Sequence, residues 1–370
     1  MDSDIILVIV VVTALAFDFT NGFHDTANAV ATSISTRALA PKTAVGLSAI
    51  LNFVGAFISI KVAATVAGGI VDAKLVTTTV IFAGLIGAIT WNLVTWYFGL
   101  PSSSSHALIG GVVGAAFAAS GTSAILGAGL LEKVIVPALV APVVAFLTAG
   151  CCILVTYRMV GRLRPGSVNR GYRLGQIGSA SLLSLSHGTN DAQKTMGIIT
   201  LALVAHGSLH GSDPSPPTWV IVSAGSAIAL GTYLGGWRII RTMGSRIYKM
   251  DPAQGFAAQG GGAAVLLTAS HLGFPLSTTH SITGAVLGAG AAKRVSAVRW
   301  GLAGNIAIAW ALTLPAAAAV GAITYEVSRV FGTGALGPLL ISASLLTLIA
   351  ALFGKRVRRG PAMTTAVADA

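Results

Sequence analysis

The chain reads as an all-α polytopic membrane protein of about 11–12 membrane segments, arranged as two inverted-topology repeats with broken or re-entrant helices. Three observations predict this. Of 370 residues, 54% are hydrophobic and 9% are charged, at a mean hydropathy of +0.82; a soluble domain carries about 25% charged residues. Nearly uncharged runs of spanning length recur along the whole sequence. Two strings also occur twice. GFHDTANAV (Gly22 to Val30) returns as GTNDAQKTM (Gly188 to Met196), and PSSSSHALIG (Pro101 to Gly110) returns as PLSTTHSITG (Pro275 to Gly284). The copies lie 166 and 174 residues apart, so two halves of similar length carry the same motifs in the same order.

In chain order the apolar segments fall near residues 5–35, 43–66, 76–99, 101–120, 134–157, 174–205, 218–237, 257–272, 275–292, 301–324 and 334–354. Asp2 and Asp4 precede the first, which therefore reads as a span rather than a cleaved leader, starting outside. Counting each segment as one crossing puts every basic cluster inside, as the positive-inside rule requires. These clusters are Arg37 and Lys42; Arg158 to Arg173; Arg238 to Lys249; Lys293, Arg294 and Arg299; and Lys355 to Arg359. The connector after 205 has Asp213 and no Lys or Arg, and falls outside. The expected units are a repeat at 1–157, a basic cytoplasmic connector at 158–173, a second repeat with a C-terminal span at 174–354, and a cytoplasmic tail at 355–370.

Segment 5–35 then runs inward and its copy 174–205 outward, while 101–120 runs outward and 275–292 inward. The halves are inverted, an architecture many secondary transporters share, and superposition should bring Asp25 near Asp191 and Ser104 near Thr278. At about 31 residues the first and sixth segments exceed the roughly 20 a straight span needs, so both are expected to break at their motifs. Segments 101–120 and 257–292 could be re-entrant. The net charge of +12 sits in connectors without interleaved aromatics, which excludes a nucleic-acid surface. Cys151 and Cys152 are adjacent and make no disulfide framework.

Within the spans the acidic residues are Asp18, Asp25 and Asp191, the last two at matched motif positions. A carboxylate at depth is costly unless paired, protonated or holding a cation. Lys194, one turn from Asp191, offers an ion pair; Asp25 has no such lysine. Asn21, Asn28 and Asn190 add amide oxygens, a donor set that suits a hard cation such as sodium, while the carboxylates could instead carry protons. Pro101 and Pro275 mark helix starts, with Ser102 to Ser105 around one first turn and Ser277, Thr278 and Thr279 around the other. Unpaired N–H groups at such starts, joined by hydroxyls, bind a tetrahedral oxyanion. His106 and His280 follow the hydroxyl clusters and His24 lies in the first motif, all three as supporting hydrogen-bond groups. An intramembrane phosphate-ester enzyme is a distant alternative. Asp25 and Asp191 read as standing singly, no Arg lies in a span, and Ser105 and His106 point different ways on a helix.

GFHDTANAV, SHGTNDAQKTMG, PSSSSHALIG and PLSTTHSITG resemble the signature segments of the inorganic phosphate transporter (PiT) family, in its bacterial low-affinity branch. The resemblance implies import of inorganic phosphate by sodium or proton symport through alternating access, without a cofactor. It also implies a homodimer in lipid, multi-pass in the bacterial plasma (inner) membrane, N-terminus outside and C-terminus inside. It assigns the coupling cation to Asp25, Asn28, Asn190 and Asp191, with sodium possible at the two aspartates. Phosphate falls to Ser103, Ser104, Ser105, Gln193, Ser277, Thr278 and Thr279, with Asn21, His24, Lys194, His106 and His280 around them. His24 stands where many relatives have Asn, and Lys194 stands opposite Asn28, so the two cation positions are not chemically equivalent. A metal–phosphate complex as substrate stays open, as does sulfate, which a Ser-lined helix start also accepts. Phosphate near neutral pH keeps a proton to donate to Asp25 or Asp191 and sulfate does not, which favours phosphate.

Overall fold

Apolar runs without proline made the first expected helix unmistakable, and it extends without interruption as α1 (Asp2–Ser35). The structure is a computed structural model; it describes residues 2–210, 215–332 and 334–358, the last ten by backbone only. Asp213, Arg359 and most of the expected tail lie outside the described residues. After α1 come α2 (Pro41–Gly55), α3 (Lys61–Gly68), α4 (Thr78–Phe98), α5 (Ser104–Ser120), the single turn α6 (Gly127–Leu130) and α7 (Val136–Val160). The second half comprises α8 (Pro165–His206), α9 (Thr218–Leu234), α10 (Trp237–Arg241), α11 (Pro252–His271), α12 (Thr278–Lys293), α13 (Trp300–Val330) and α14 (Leu336–Arg358). Among the described residues the only β pairing is one isolated bridge, Val71 to Ile125.

Every apolar segment falls on helix, but the breaks lie elsewhere than expected. α1 and α8 run unbroken through their motifs, which contain glycine but no proline and whose polar side chains find partners on neighbouring helices. The surplus length of α8 overshoots instead. Its first turns, carrying Arg170 and Arg173, are exposed, so the basic stretch 158–173 is mostly helical around a short turn at 161–164. The interruptions occur at matched places in the halves, between α2 and α3 and between α9 and α10, where the axis bends by 60°. By length and apolarity, five described helices can each cross a membrane, or six with that bent pair. This is fewer than the 11–12 segments anticipated, because α2 and α12 are short and α8 and α11 are comparatively polar.

α1 and α8 are antiparallel: Asp4 meets His206 at one end (3.4 Å) and Thr36 donates to Gln176 near the other (2.6 Å). Packing is reciprocal between halves. Gly22 on α1 abuts the backbone of α9 around Ile228 and Gly231, and Gly188 on α8 abuts Asn52 on α2. Gly110 and Gly114 on α5 lie on Leu314 and Ala318 of α13, while Gly284 and Gly288 on α12 lie on Pro142 and Phe146 of α7. Small residues that let backbones touch are what helix packing in lipid requires. A Cβ on Gly188 would come within 2.1 Å of the Asn52 carbonyl, whereas one on Gly178 of the same helix meets nothing within 4 Å. Gly188→Ala should therefore destabilise by about 1–3 kcal/mol and Gly178→Ala should not, read from thermal unfolding in detergent. Equal midpoints for both variants would refute the close crossing.

Three basic connectors gather at one end of the bundle. Tyr157 donates to Asp251 (2.9 Å), Lys293 pairs with Asp251 (2.9 Å), and the Arg299 amide donates to Ile247 (3.0 Å). Asp251 also caps α11 in a capping box with Gln254, behind Pro252 at the first helical position.

Candidate functional site

The two hydroxyl clusters do start helices, but three residues beyond the prolines, at Ser104 and Thr278. Ser103 and Ser277 are the N-caps, accepting from the amides of His106 (3.1 Å) and His280 (3.2 Å). α5 and α12 meet close to these starts, with the His106 and His280 rings 4.7 Å apart. His280 also stacks on Trp310 at 4.0 Å, a contact nothing in the motifs announces.

Against these helix starts lie the middles of α1 and α8. The Asp25 carboxylate accepts from Ser104 (2.6 Å) and, more weakly, from Thr279 (3.4 Å), with His24 Nδ1 at 2.6 Å. Ser104 shares its hydroxyl with Asn21 Oδ1 (2.7 Å). Asp191 accepts from Thr278 (3.1 and 3.2 Å), is paired with Lys194, and faces His187 Nε2 at 2.9 Å. Lys194 also donates to Ser105 Oγ and to the Leu276 carbonyl (2.7 Å), so one buried ammonium ties α8 to both helix starts. Asp25, Asp191 and Lys194 are all at most 2% exposed.

The carboxylates do not stand singly. Ligand atoms of Asp25, His187 and Asp191 lie within 4.8 Å of one another, a group that could hold a metal ion. His187 was legible only as a motif neighbour; its spacing of i to i+4 before Asp191 was the available signal. Asn28 and Asn190 share a pattern. Asn28 donates through Nδ2 to Thr279 (2.9 Å) and Asn190 to Ser270 (2.8 Å), while both Oδ1 atoms are buried with no hydrogen-bond donor. A buried carbonyl oxygen without a donor fits a cation ligand. Asn190, however, bonds to Ser270 on α11 and to the Phe274 carbonyl (3.3 Å), and to none of the Ser/Thr cluster hydroxyls. Gln193 is engaged elsewhere: its Oε1 accepts from the amides of Val62 (2.8 Å) and Ala63 (3.2 Å) at the start of α3, and its Nε2 donates to Thr189.

The site thus joins two carboxylates, one ammonium, four imidazoles and two helix starts, contributed by α1 and α5 of one half and α8 and α12 of the other. Such a set can hold an oxyanion beside a cation or proton. The model of the phosphate transporter family matches residues 21–167 and 162–321. A probable low-affinity inorganic phosphate transporter of Mycobacterium bovis is 55% identical over 96% of this chain and 85% of its own length. One of Bacillus subtilis, with the same description, is 46% identical over 87% and 96%. A solved sodium-dependent phosphate transporter has the same fold, with a TM-score of 0.80 at 24% identity, covering 88% of this chain and 99% of that one. The long apolar helices make this a multi-pass membrane protein, and by sequence it belongs to the phosphate transporter family, a family of transporters and not of enzymes.

Proposed function

We propose that the protein imports inorganic phosphate by cation symport, alternating access between two inverted halves. The observation that carries this reading is the crossing of the motifs. Thr279 of the second half reaches Asp25 of the first, and Lys194 of the second reaches Ser105 of the first. Substrate and cation would then sit where the halves must move against each other. Antiparallel α1 and α8, carrying the same motif, support the inversion. Phosphate would lie between the starts of α5 and α12, taking first-turn N–H groups and the hydroxyls of Ser104, Ser105, Thr278 and Thr279, which can rotate off their present acceptors. Lys194 supplies a fixed positive charge beside it.

The cation positions are unequal. At Asp191 the Lys194 ammonium already stands where a cation would; at Asp25 the partners are His24 and hydroxyls, and Asn28 Oδ1 is open. A coupling sodium or proton therefore belongs at Asp25 and Asn28, with Asn190 and Asp191 in support. The basic end gathered at Asp251 would face the cytoplasm of a bacterial inner membrane, with the N-terminus outside. Homodimerisation and a metal–phosphate substrate belong to the same reading as expectations of the family. Uptake of labelled phosphate into proteoliposomes, with sodium and proton gradients imposed separately, tests symport; no response to either gradient would overturn it.

Each hydroxyl contributes about 0.5–1.5 kcal/mol, so Ser104→Ala or Thr278→Val alone should weaken phosphate binding about 2- to 13-fold. The double variant should be worse than either. Calorimetry with phosphate and sulfate in competition checks this: unchanged affinity in the double variant would refute the anion site, and stronger binding of sulfate would reassign the substrate.

A further inference from the structure

Asp18 takes no part in the contacts above. Two turns before Asp25 on α1 and flanked by the core residues Ala14 and Phe17, it is 0% exposed, and neither carboxylate oxygen has a hydrogen-bond partner. An ionised carboxylate cannot be held so without compensation. Its polar neighbours are Thr195 on α8 and Asn21. Thr195, also fully buried, has a hydroxyl without any partner. That is unusual for its helix. Ser181, Ser184, Ser186, Thr189 and Thr200 each donate to the carbonyl one turn back, at 2.6 to 2.8 Å. Thr195 makes no such bond, and its hydroxyl lies beside a bare carboxyl.

We propose that Asp18 is a proton-carrying site of the transport cycle, a third carboxyl distinct from Asp25 and Asp191; this rests on the symport reading above. Asp191 and Lys194 are the charged groups facing it. Of the other titratable groups on α1 and the elements packed against it, Asp2, Asp4, His24 and Asp25 lie on α1 itself, and His187 and His206 on α8; α2, α10, the turn at 242–246 and α11 bring Lys42, Arg238, Arg241, Arg246 and His271. α5 and α12 bring His106 and His280, and α4 and α9 bring Tyr97 and Tyr233, both exposed near their helix ends. A proton fits this place better than a metal ion. The side chains offer two carboxylate oxygens, the Thr195 hydroxyl and an Asn21 amide oxygen that already accepts from Ser104, where hard divalent cations take about six oxygens or more, and Lys194 already brings a positive charge into reach. Three carboxylates against one ammonium repel an incoming anion. Neutralising Asp18 removes one negative charge from that group and so ties proton uptake to phosphate entry. The step is one O–H bond, formed on a carboxylate oxygen with a proton from the side where phosphate enters and broken when that proton leaves on the other side.

The test uses the full chain in proteoliposomes loaded with a pH-indicating dye. Asp18→Asn mimics the protonated carboxyl. It should retain phosphate exchange within about 3-fold of the parent protein. It should lose the accumulation that a pH gradient drives, worth about tenfold per unit of pH, together with the proton movement the dye reports. Asp18→Glu should restore both. Gradient-driven accumulation by Asp18→Asn equal to the parent protein's would overturn the proposal. If Asp18→Asn loses exchange as well, infrared spectroscopy of purified protein decides. The parent should show the carbonyl band of a protonated buried carboxyl, shifted in Asp18→Glu, and its absence from the parent would sink the idea. If the parent protein moves no phosphate at all, the symport reading falls instead.

Discussion

Asp25→Asn abolishes coupled phosphate uptake while the protein remains folded in the membrane. The amide keeps the shape of the carboxylate but loses its charge. It also offers Nδ2 hydrogens to groups that themselves donate, Ser104 at 2.6 Å and Thr279 at 3.4 Å. Hydrogen bonds to charged groups contribute about 1.5–3 kcal/mol each, so loss of the charge at this centre should cut gradient-driven uptake about 100-fold or more. Folding should survive, because Asp25 has no lysine partner that the change would strand and the amide fills the same volume. Uptake under imposed sodium and proton gradients, with gel filtration of the purified variant, checks both halves of the statement. Transport at the parent rate with the same ion dependence would remove Asp25 from the cation site.

Much of this centre was legible as strings, because duplication marks function where a single motif would not. One Ser cluster is as easily a helix cap, and Ser103 and Ser277 are indeed caps; two clusters at matched positions called for a shared site. The pairing of Asp191 with Lys194 followed from one turn of spacing. What the strings could not give was contact between helices. That Lys194 reaches Ser105, or that Thr279 reaches Asp25, depends on how four helices cross, and no periodicity encodes that. Helix continuity was misjudged for a related reason. Length argued for breaks in α1 and α8, but a polar residue breaks a helix only when it lacks a partner, and the partners come from neighbouring helices of both halves. Asp18 was visible as a third carboxylate within a span, yet its lack of any hydrogen-bond donor is a property of the packed chain alone.

Lys194→Met produces the largest loss of stability of any single change in the site. The ammonium is 1% exposed and bonds to Asp191, to Ser105 and to the Leu276 carbonyl. Removing it leaves Asp191 buried and charged with His187 and Thr278, and deprives the segment before α12 of its tie to α8. Breaking one side of a buried ion pair costs about 3–5 kcal/mol, chiefly because the remaining charge is stranded. The same argument predicts the repair. Asp191→Asn combined with Lys194→Met removes both charges, so the double variant should recover more than half of the lost stability although it lacks more native groups than either single variant. Thermal or denaturant unfolding of the four proteins in one detergent gives the coupling directly. A Lys194→Met protein as stable as its parent would mean that the ammonium does not hold the two halves together, and additive losses in the double variant would mean that the charges act independently.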